Sequence, residues 1–299
     1  MSMKFDSSMV SVLLAAFAPA LFLFLAITWD RRQRKHTEKP PQSEKLLRPP
    51  GYSLSIRLDE TFDLVIDRIL FASVLSACSA ACAIGLAILL GARAPVSYVI
   101  MGLLAVTLFV VGCVWAILRA FHWFKEAQNI RLGLRGEQAV AEALNEADGF
   151  RVFHDMPGGG DWNIDHVAVG TRGVFLIETK ARRRRGSRNG QQAHEVIYDG
   201  EALQFPAYRD AKPIEQAKRN AQWLANFLTK KTGQPVSVSP LVVLPGWFVK
   251  ISEKGNFPVW AMNGTFLPGH LQRQAERVDP AQVRRIISAI DDKCRDVEF

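Results

Sequence analysis

The chain has 299 residues, a formal charge of +8, and 48% apolar residues. A mean hydropathy of +0.04 beside that charge argues against a basic protein that is soluble throughout, because the apolar residues gather in the first 120 positions. Of the cysteines, Cys78, Cys82 and Cys113 fall inside apolar stretches and only Cys294 falls outside them, which excludes a disulfide framework and a zinc quartet.

Three stretches have the length and apolarity of transmembrane α-helices: residues 10–29, 69–92 and 96–118, with approximate ends. Each supplies the roughly 20 apolar residues needed to cross a hydrocarbon core about 30 Å thick. None holds an internal charge, which would be costly at mid-bilayer. Arg31, Arg32, Arg34 and Lys35 follow the first stretch, and Arg119, Lys125 and Arg131 follow the third. Basic flanks stay inside, so the expectation is a multi-pass protein of the inner (plasma) membrane. Its N-terminus is expected outside and its C-terminal domain in the cytoplasm. Ala16-Phe17-Ala18 resembles a signal cleavage site, but the apolar run continues through Ile27 and only Lys4 is basic upstream. Cys78 and Cys82, beside Ser76, Ala80 and Ala81, read as small residues at a helix–helix contact.

Residues 30–53 form a charged linker with Pro40-Pro41 and Pro49-Pro50-Gly51. Leu58, Phe62, Val65 and Ile69 then recur at helical spacing, which predicts an interfacial helix leading into the second span. The expected organisation is therefore a membrane anchor over 1–125 with a cytoplasmic linker at 30–68. A globular domain follows over 126–250, then an appendage of strand and helix over 251–299.

Within the globular domain, Gly133, Gly136, Glu137, Val140, Leu144 and Ala147 share one face of a helix that ends before Gly149. Strands are predicted over 151–155, 163–169, 174–180 and 194–199. Pro213 starts a helix through Ile214, Ala217, Ala221, Leu224 and Leu228. Strands at 238–244 and 259–262 follow, and Asp279-Pro280 caps a last amphipathic helix through Val283, Ile287 and Ile290. That order suits an α/β domain with a mixed sheet flanked by helices.

Asn163-Ile164-Asp165-His166 and Ile177-Glu178-Thr179-Lys180 are joined by Gly170-Thr171-Arg172-Gly173, a hairpin signal. With a loop of two or four residues, Asp165 falls opposite Glu178, on the same face and about 5 Å away. A loop of three or five residues breaks that pairing. Facing carboxylates repel unless a cation lies between them, and alternation puts Lys180 on the Glu178 face. Oxygen-only ligands suit Mg²⁺ or Mn²⁺, which lowers the pKa of water and neutralises phosphoryl charge. A lysine alongside orients the water or stabilises the pentavalent state. The set is one for phosphodiester cleavage. Glu137, an acid on a stripe meant for burial, reads either as sharing the metal or as a solvated edge position.

Gly136-Glu137, Ile164-Asp165-His166, Gly173-Val174-Phe175-Leu176-Ile177-Glu178-Thr179-Lys180 and Pro213-Ile214-Glu215-Gln216-Ala217 resemble, in order and spacing, the nuclease-related domain (NERD). That family looks like a branch of the PD-(D/E)XK nuclease superfamily, and the resemblance spans roughly residues 130–245. It implies a restriction-endonuclease-like sheet in which Asp165 and Glu178 bind the metal. It also implies that Lys180 assists the nucleophilic water, that Glu137 supports the metal shell and that Gln216 lies near the site. The family usually continues past the lysine with Asn and a short turn, whereas here Ala181 leads into Arg182-Arg183-Arg184-Arg185.

Those four arginines read either as phosphate contacts to DNA or RNA or as a solvated loop that could meet anionic headgroups. His166 alternates away from Asp165, so His154, Asp155 and His166 do not read as a metal cluster. Gly158-Gly159-Gly160 lacks the lysine and helix of a P-loop. Trp223, Trp247 and Trp260 read as packing residues. The sequence points to a membrane-anchored, divalent-metal-dependent nuclease. The alternatives are a catalytically silent nucleic-acid-binding or signalling module, and a membrane-assembly protein.

Overall fold

A computed structural model describes residues 29, 45–68, 71, 96–184, 192–252 and 257–297. The chain divides into two compact units, Met1–Gln42 with Leu58–Gln128, and Ser43–Arg57 with Asn129–Phe299.

The first expected span and nearly all of the second lie outside the described residues. The third falls on the start of a 49-residue helix, Val96–Leu144, called α2 here; α1 is the helix over residues 52–68. Leu103, Val110, Val111, Val114, Trp115, Ile117, Leu118 and Phe121 on α2 are exposed. Among the described residues, no helix is long and apolar enough to cross a membrane. The third apolar stretch and the domain's first predicted helix lie on this one helix, α2, without a break. No proline falls within it, and Arg119, Lys125 and Arg131 occupy exposed positions where helix and charge are compatible.

The second unit is built on a five-stranded mixed sheet of order β10-β8-β4-β3-β2. β2 (Phe150–Pro157), β3 (Asn163–Gly170) and β4 (Gly173–Thr179) form an antiparallel meander. β8 (Val238–Val243) runs parallel to β4, and β10 (Trp260–Met262) parallel to β8. Alternation along these strands sends side chains to two separate cores. Val140 and Leu144 of α2 pack with Phe175, Ile177, Leu241 and Val243, and Leu267 and Leu271 of α4 (Leu267–Gln272) join them. The opposite core combines Phe153, Val167 and Leu176 with Ile214, Ala217 and Leu224 of α3 (Lys212–Thr232). Ile286 and Ile290 of α5 (Pro280–Cys294) complete it. Each fully buried Leu or Ile contributes about 1.5–3 kcal/mol, so α5 is integral to the domain. α3 ends where Gly233 turns left-handed (φ 70°) and returns its amide to the Thr229 carbonyl.

Three groupings differ from the sequence expectation. Residue 250 is not a boundary, since β10 is a strand of the main sheet and α5 closes its core. A second, four-stranded sheet of order β7-β6-β5-β9 contains β5 (Glu195–Tyr198), β6 (Leu203–Gln204), β7 (Arg209–Asp210) and β9 (Phe248–Ile251). Residues 45–57, expected in the free linker, belong to this unit. There β1 (Leu46–Leu47) pairs with β11 (Arg295–Val297), and Arg48 makes a two-pronged bond to Asp296 at 2.8 and 2.6 Å.

Candidate active site

The β3–β4 hairpin turns on two residues, Thr171 and Arg172, between the paired Gly170 and Gly173. Gly173 has φ 139°, a conformation that favours glycine. The ladder runs from that turn to His166 opposite Ile177. One step further, the same register sets Asp165 opposite Glu178, as the two-residue loop predicts. Asp165 Oδ2 accepts the Thr179 amide at 2.7 Å, which fixes its carboxylate against the end of β4.

Glu178 is 1% exposed and fully engaged. Its Oε1 accepts Lys180 Nζ at 2.6 Å and Gln216 Nε2 at 2.7 Å, and its Oε2 accepts Asn220 Nδ2 at 3.5 Å. Lys180 Nζ also donates to Gln216 Oε1 at 3.2 Å. Gln216 and Asn220 are four residues apart on α3 and so share a helix face. Asn220 was not singled out in the sequence, although its spacing from Gln216 was a legible signal.

Glu137 arrives from α2 on the other side of the sheet. Gly136 makes this possible: a Cβ there would lie 2.7 Å from Ala181 Cβ, so the helix meets the segment after β4 at glycine contact distance. Glu137 is buried and accepts a backbone hydrogen bond from Gly51. Burial first, then the charges of Asp155 and Glu178, push its carboxyl up to about 8. Burial, followed by Glu178 and Glu137, holds Asp165 well above the usual carboxylate range. Burial also raises Glu178, against the pull of the Lys180 ammonium. The raised carboxyls of Glu137, Asp165 and Glu178 therefore crowd one region, with Lys180 pulling against all three and Arg219 against Glu178, a pattern of perturbed acids common at functional sites.

Asp155 was set aside in the sequence, yet it is buried and backs the site. It has φ 49°, the positive region that non-glycine residues rarely adopt. Its carboxylate accepts Ser53 N at 2.5 Å and Ser53 Oγ at 2.7 Å, and Arg48 Nη1 donates to its carbonyl at 3.2 Å. No spacing signal announces a contact between residues 102 positions apart.

His166 stays out of the acidic cluster, as alternation predicts. It pairs across the strands with His154, Nδ1 to Nδ1 at 2.8 Å. Burial lowers His154 to about 4 and His166 well below its ordinary value, so both rings are neutral at pH 7.

Arg182 and Arg184 of the arginine run bond to the protein itself. Arg182 meets Asp210 at 3.3 Å, and Arg184 donates to the Gly246 carbonyl at 2.9 Å. Arg183 is exposed, and Arg185 lies outside the described residues. Trp247 is buried and its indole donates to the Arg182 carbonyl at 3.3 Å, while Trp223 stacks on Phe227.

Among the described residues, no group of three or more His, Cys, Asp or Glu side chains is placed to hold a metal ion. The donor chemistry nonetheless fits a hard divalent cation. The carboxylate oxygens are crowded, and Asn220 Oδ1, beside Glu178, is buried with no hydrogen-bond partner. A cation or its water would relieve both conditions. No curated protein and no solved structure matches the chain. The stretch that carries Glu137, Asp165, Glu178, Lys180 and Gln216 does have a relative: residues 132–245 match the family described as the nuclease-related domain, NERD.

Proposed function

We propose that the protein is a divalent-metal-dependent nuclease that hydrolyses phosphodiester bonds in DNA or RNA. The observation that carries this reading is the facing pair Asp165 and Glu178, with Lys180 held against Glu178 at 2.6 Å. Asp165 and Glu178 would hold Mg²⁺ or Mn²⁺, with Glu137 behind them and Asn220 Oδ1 as a further oxygen donor. When bound, the ion supplies Lewis-acid stabilisation of a phosphoryl oxygen and a water of lowered pKa. Lys180 orients the attacking water and offsets charge developing on the phosphoryl oxygens. Gln216 keeps the lysine aimed through its 3.2 Å contact. Thr179 N–H holds Asp165 in its working orientation. Arg182–Arg185 supply salt-dependent contacts to the phosphate backbone.

The reading includes a membrane anchor over residues 1–125, with the nuclease domain on the cytoplasmic side of the inner membrane. The uncharged apolar stretches, the basic residues that flank them and the exposed apolar side chains of α2 support it.

A second reading, a catalytically silent nucleic-acid-binding or signalling module, is favoured by one observation: Lys180 already neutralises Glu178. Cleavage of labelled DNA and RNA by the full-length protein in Mg²⁺ or Mn²⁺ separates the two. Cutting that needs metal and disappears in Glu178→Ala and in Lys180→Ala is the expected result. A folded protein that cuts neither polymer overturns the nuclease reading in favour of the silent module.

A further inference from the structure

β4, β8 and β10 are parallel neighbours, so their C-terminal ends share one edge of the sheet. Lys180 N donates to Val243 O at 2.8 Å, and Leu244 N to Met262 O at 2.9 Å, which ties the three ends together. Asn263, the residue after β10, therefore stands two strand spacings, about 10 Å, from Lys180. Beyond it lies a hollow of about 220 Å³ between β9, β10 and α4. Trp260 and Met262 contribute to its lining, with Phe266, Ile251, His270 and Arg273 around them.

Three features of this hollow call for an explanation. Phe266 is 59% exposed and Ile251 42% exposed, apolar surface left open to water. Trp260 is only half-buried, with its ring 5.8 Å from that of His270. Arg273 is exposed, and among the described residues its guanidinium makes no hydrogen bond or ion pair. Flat apolar surface beside an unpaired cation suits an occupant with an aromatic body and an anionic link. The basic segment after Lys180 is tied to the residues just before β9. Arg184 bonds the Gly246 carbonyl, Trp247 bonds the Arg182 carbonyl, and the chain runs from there directly into β9, one wall of the hollow.

We propose that this hollow is a subsite for an unpaired nucleobase, so that the protein engages single-stranded nucleic acid in preference to duplex. The base stacks on Phe266 and Trp260 while Arg273 contacts the adjoining phosphate. Stacking requires a base free of its partner strand, which selects single strands without reading sequence. The choice of nucleic acid as occupant rests on the nuclease reading of the acids carried by the same sheet.

The test is fluorescence-anisotropy binding of the full-length protein to a labelled oligothymidylate in EDTA. A duplex of equal length and an abasic strand of equal length serve as comparisons. Phe266→Ala is expected to weaken single-strand binding about 10-fold and to leave duplex binding unchanged. The abasic strand is expected to bind wild type and Phe266→Ala equally. Arg273→Ala is expected to reduce the slope of log affinity against log salt by about 0.7, one phosphate contact on a single strand. Equal single-strand affinity in wild type and Phe266→Ala overturns the subsite, even if metal-dependent cleavage is present. Absence of single-strand binding by wild type overturns it too, as does a self-associating protein that Phe266→Ala renders monomeric. Loss of single-strand binding in Phe266→Ala without any cleavage by wild type leaves the subsite standing and removes the nuclease.

Discussion

The ammonium of Lys180 lies 2.6 Å from Glu178 Oε1, the two residues being two positions apart at the C-terminal end of β4. Same-face alternation brings them together, and Gln216 bonds both partners. The lysine is thus the counter-charge for a carboxylate that is almost fully buried.

Lys180→Met removes that counter-charge without removing the bulk. Glu178 is then left buried and unpaired, a situation that costs about 3–5 kcal/mol when the charge persists. The expected outcome is loss of cleavage by at least about 100-fold and a melting temperature that falls as pH rises. Rates and thermal denaturation between pH 5 and pH 8, about the working range of the titrating acids, check this.

Glu137→Gln tests the crowding of the acids. In wild type the folded carboxyl titrates near 8 and its ordinary value is 4.5. Between those values the folded state holds the proton more tightly than the unfolded chain, so stability falls as pH rises through the window. Glutamine does not titrate, so the variant gains on wild type by a few kcal/mol from pH 4.5 to pH 8, on the order of 1.4 kcal/mol per pH step. Chemical denaturation across that range measures the gain, and a constant difference would refute the crowding. Added Mn²⁺ is expected to stabilise wild type more at the upper end.

The histidine pair has the opposite sign. His154 titrates near 4 in the folded state and at 6.5 ordinarily. Between those values the unfolded chain binds the proton, so stability is complete above pH 6.5 and is lost as pH falls toward 4. The loss is on the order of 3 kcal/mol for this ring, and His166 adds to it in the same direction. In His154→Gln, urea denaturation is expected to show a shallower acid limb than in wild type.

Gly136→Ala places a methyl group where Ala181 Cβ would be only 2.7 Å away. Helix propensity favours the alanine by about 1 kcal/mol, but the clash with neighbouring chain costs about 1–3 kcal/mol. The expected result is a modest drop in melting temperature together with a cleavage defect, since Glu137 is displaced with the helix. Gly136→Ala combined with Ala181→Gly is expected to recover both, and failure of that rescue would place the role of Gly136 elsewhere.

The hairpin was legible because two glycines bracket a two-residue turn and the strands alternate cleanly on both sides. α3 and α5 were legible from their 3.6-residue periodicity. β6 and β7, at two residues each, are too short to carry any period. Asp155 was read only together with the two histidines, and neither its positive φ nor its bonds to Ser53 has a signal in local pattern. The hold of Gly51 on Glu137, and of Ser53 on Asp155, depends on closure over long stretches of chain. Local pattern does not encode such closures.

Those two holds also constrain topology. Residues 45–57 are bonded into the same unit as residues 129–297, so the two stretches occupy one compartment. Whatever the chain does between residues 58 and 128, it crosses any bilayer there an even number of times. A fragment beginning at residue 126 would lack Arg48, Gly51 and Ser53 and would leave Asp155 and Glu137 without these partners. The smallest faithful unit is discontinuous in sequence, and an odd crossing count in that interval would pull it apart.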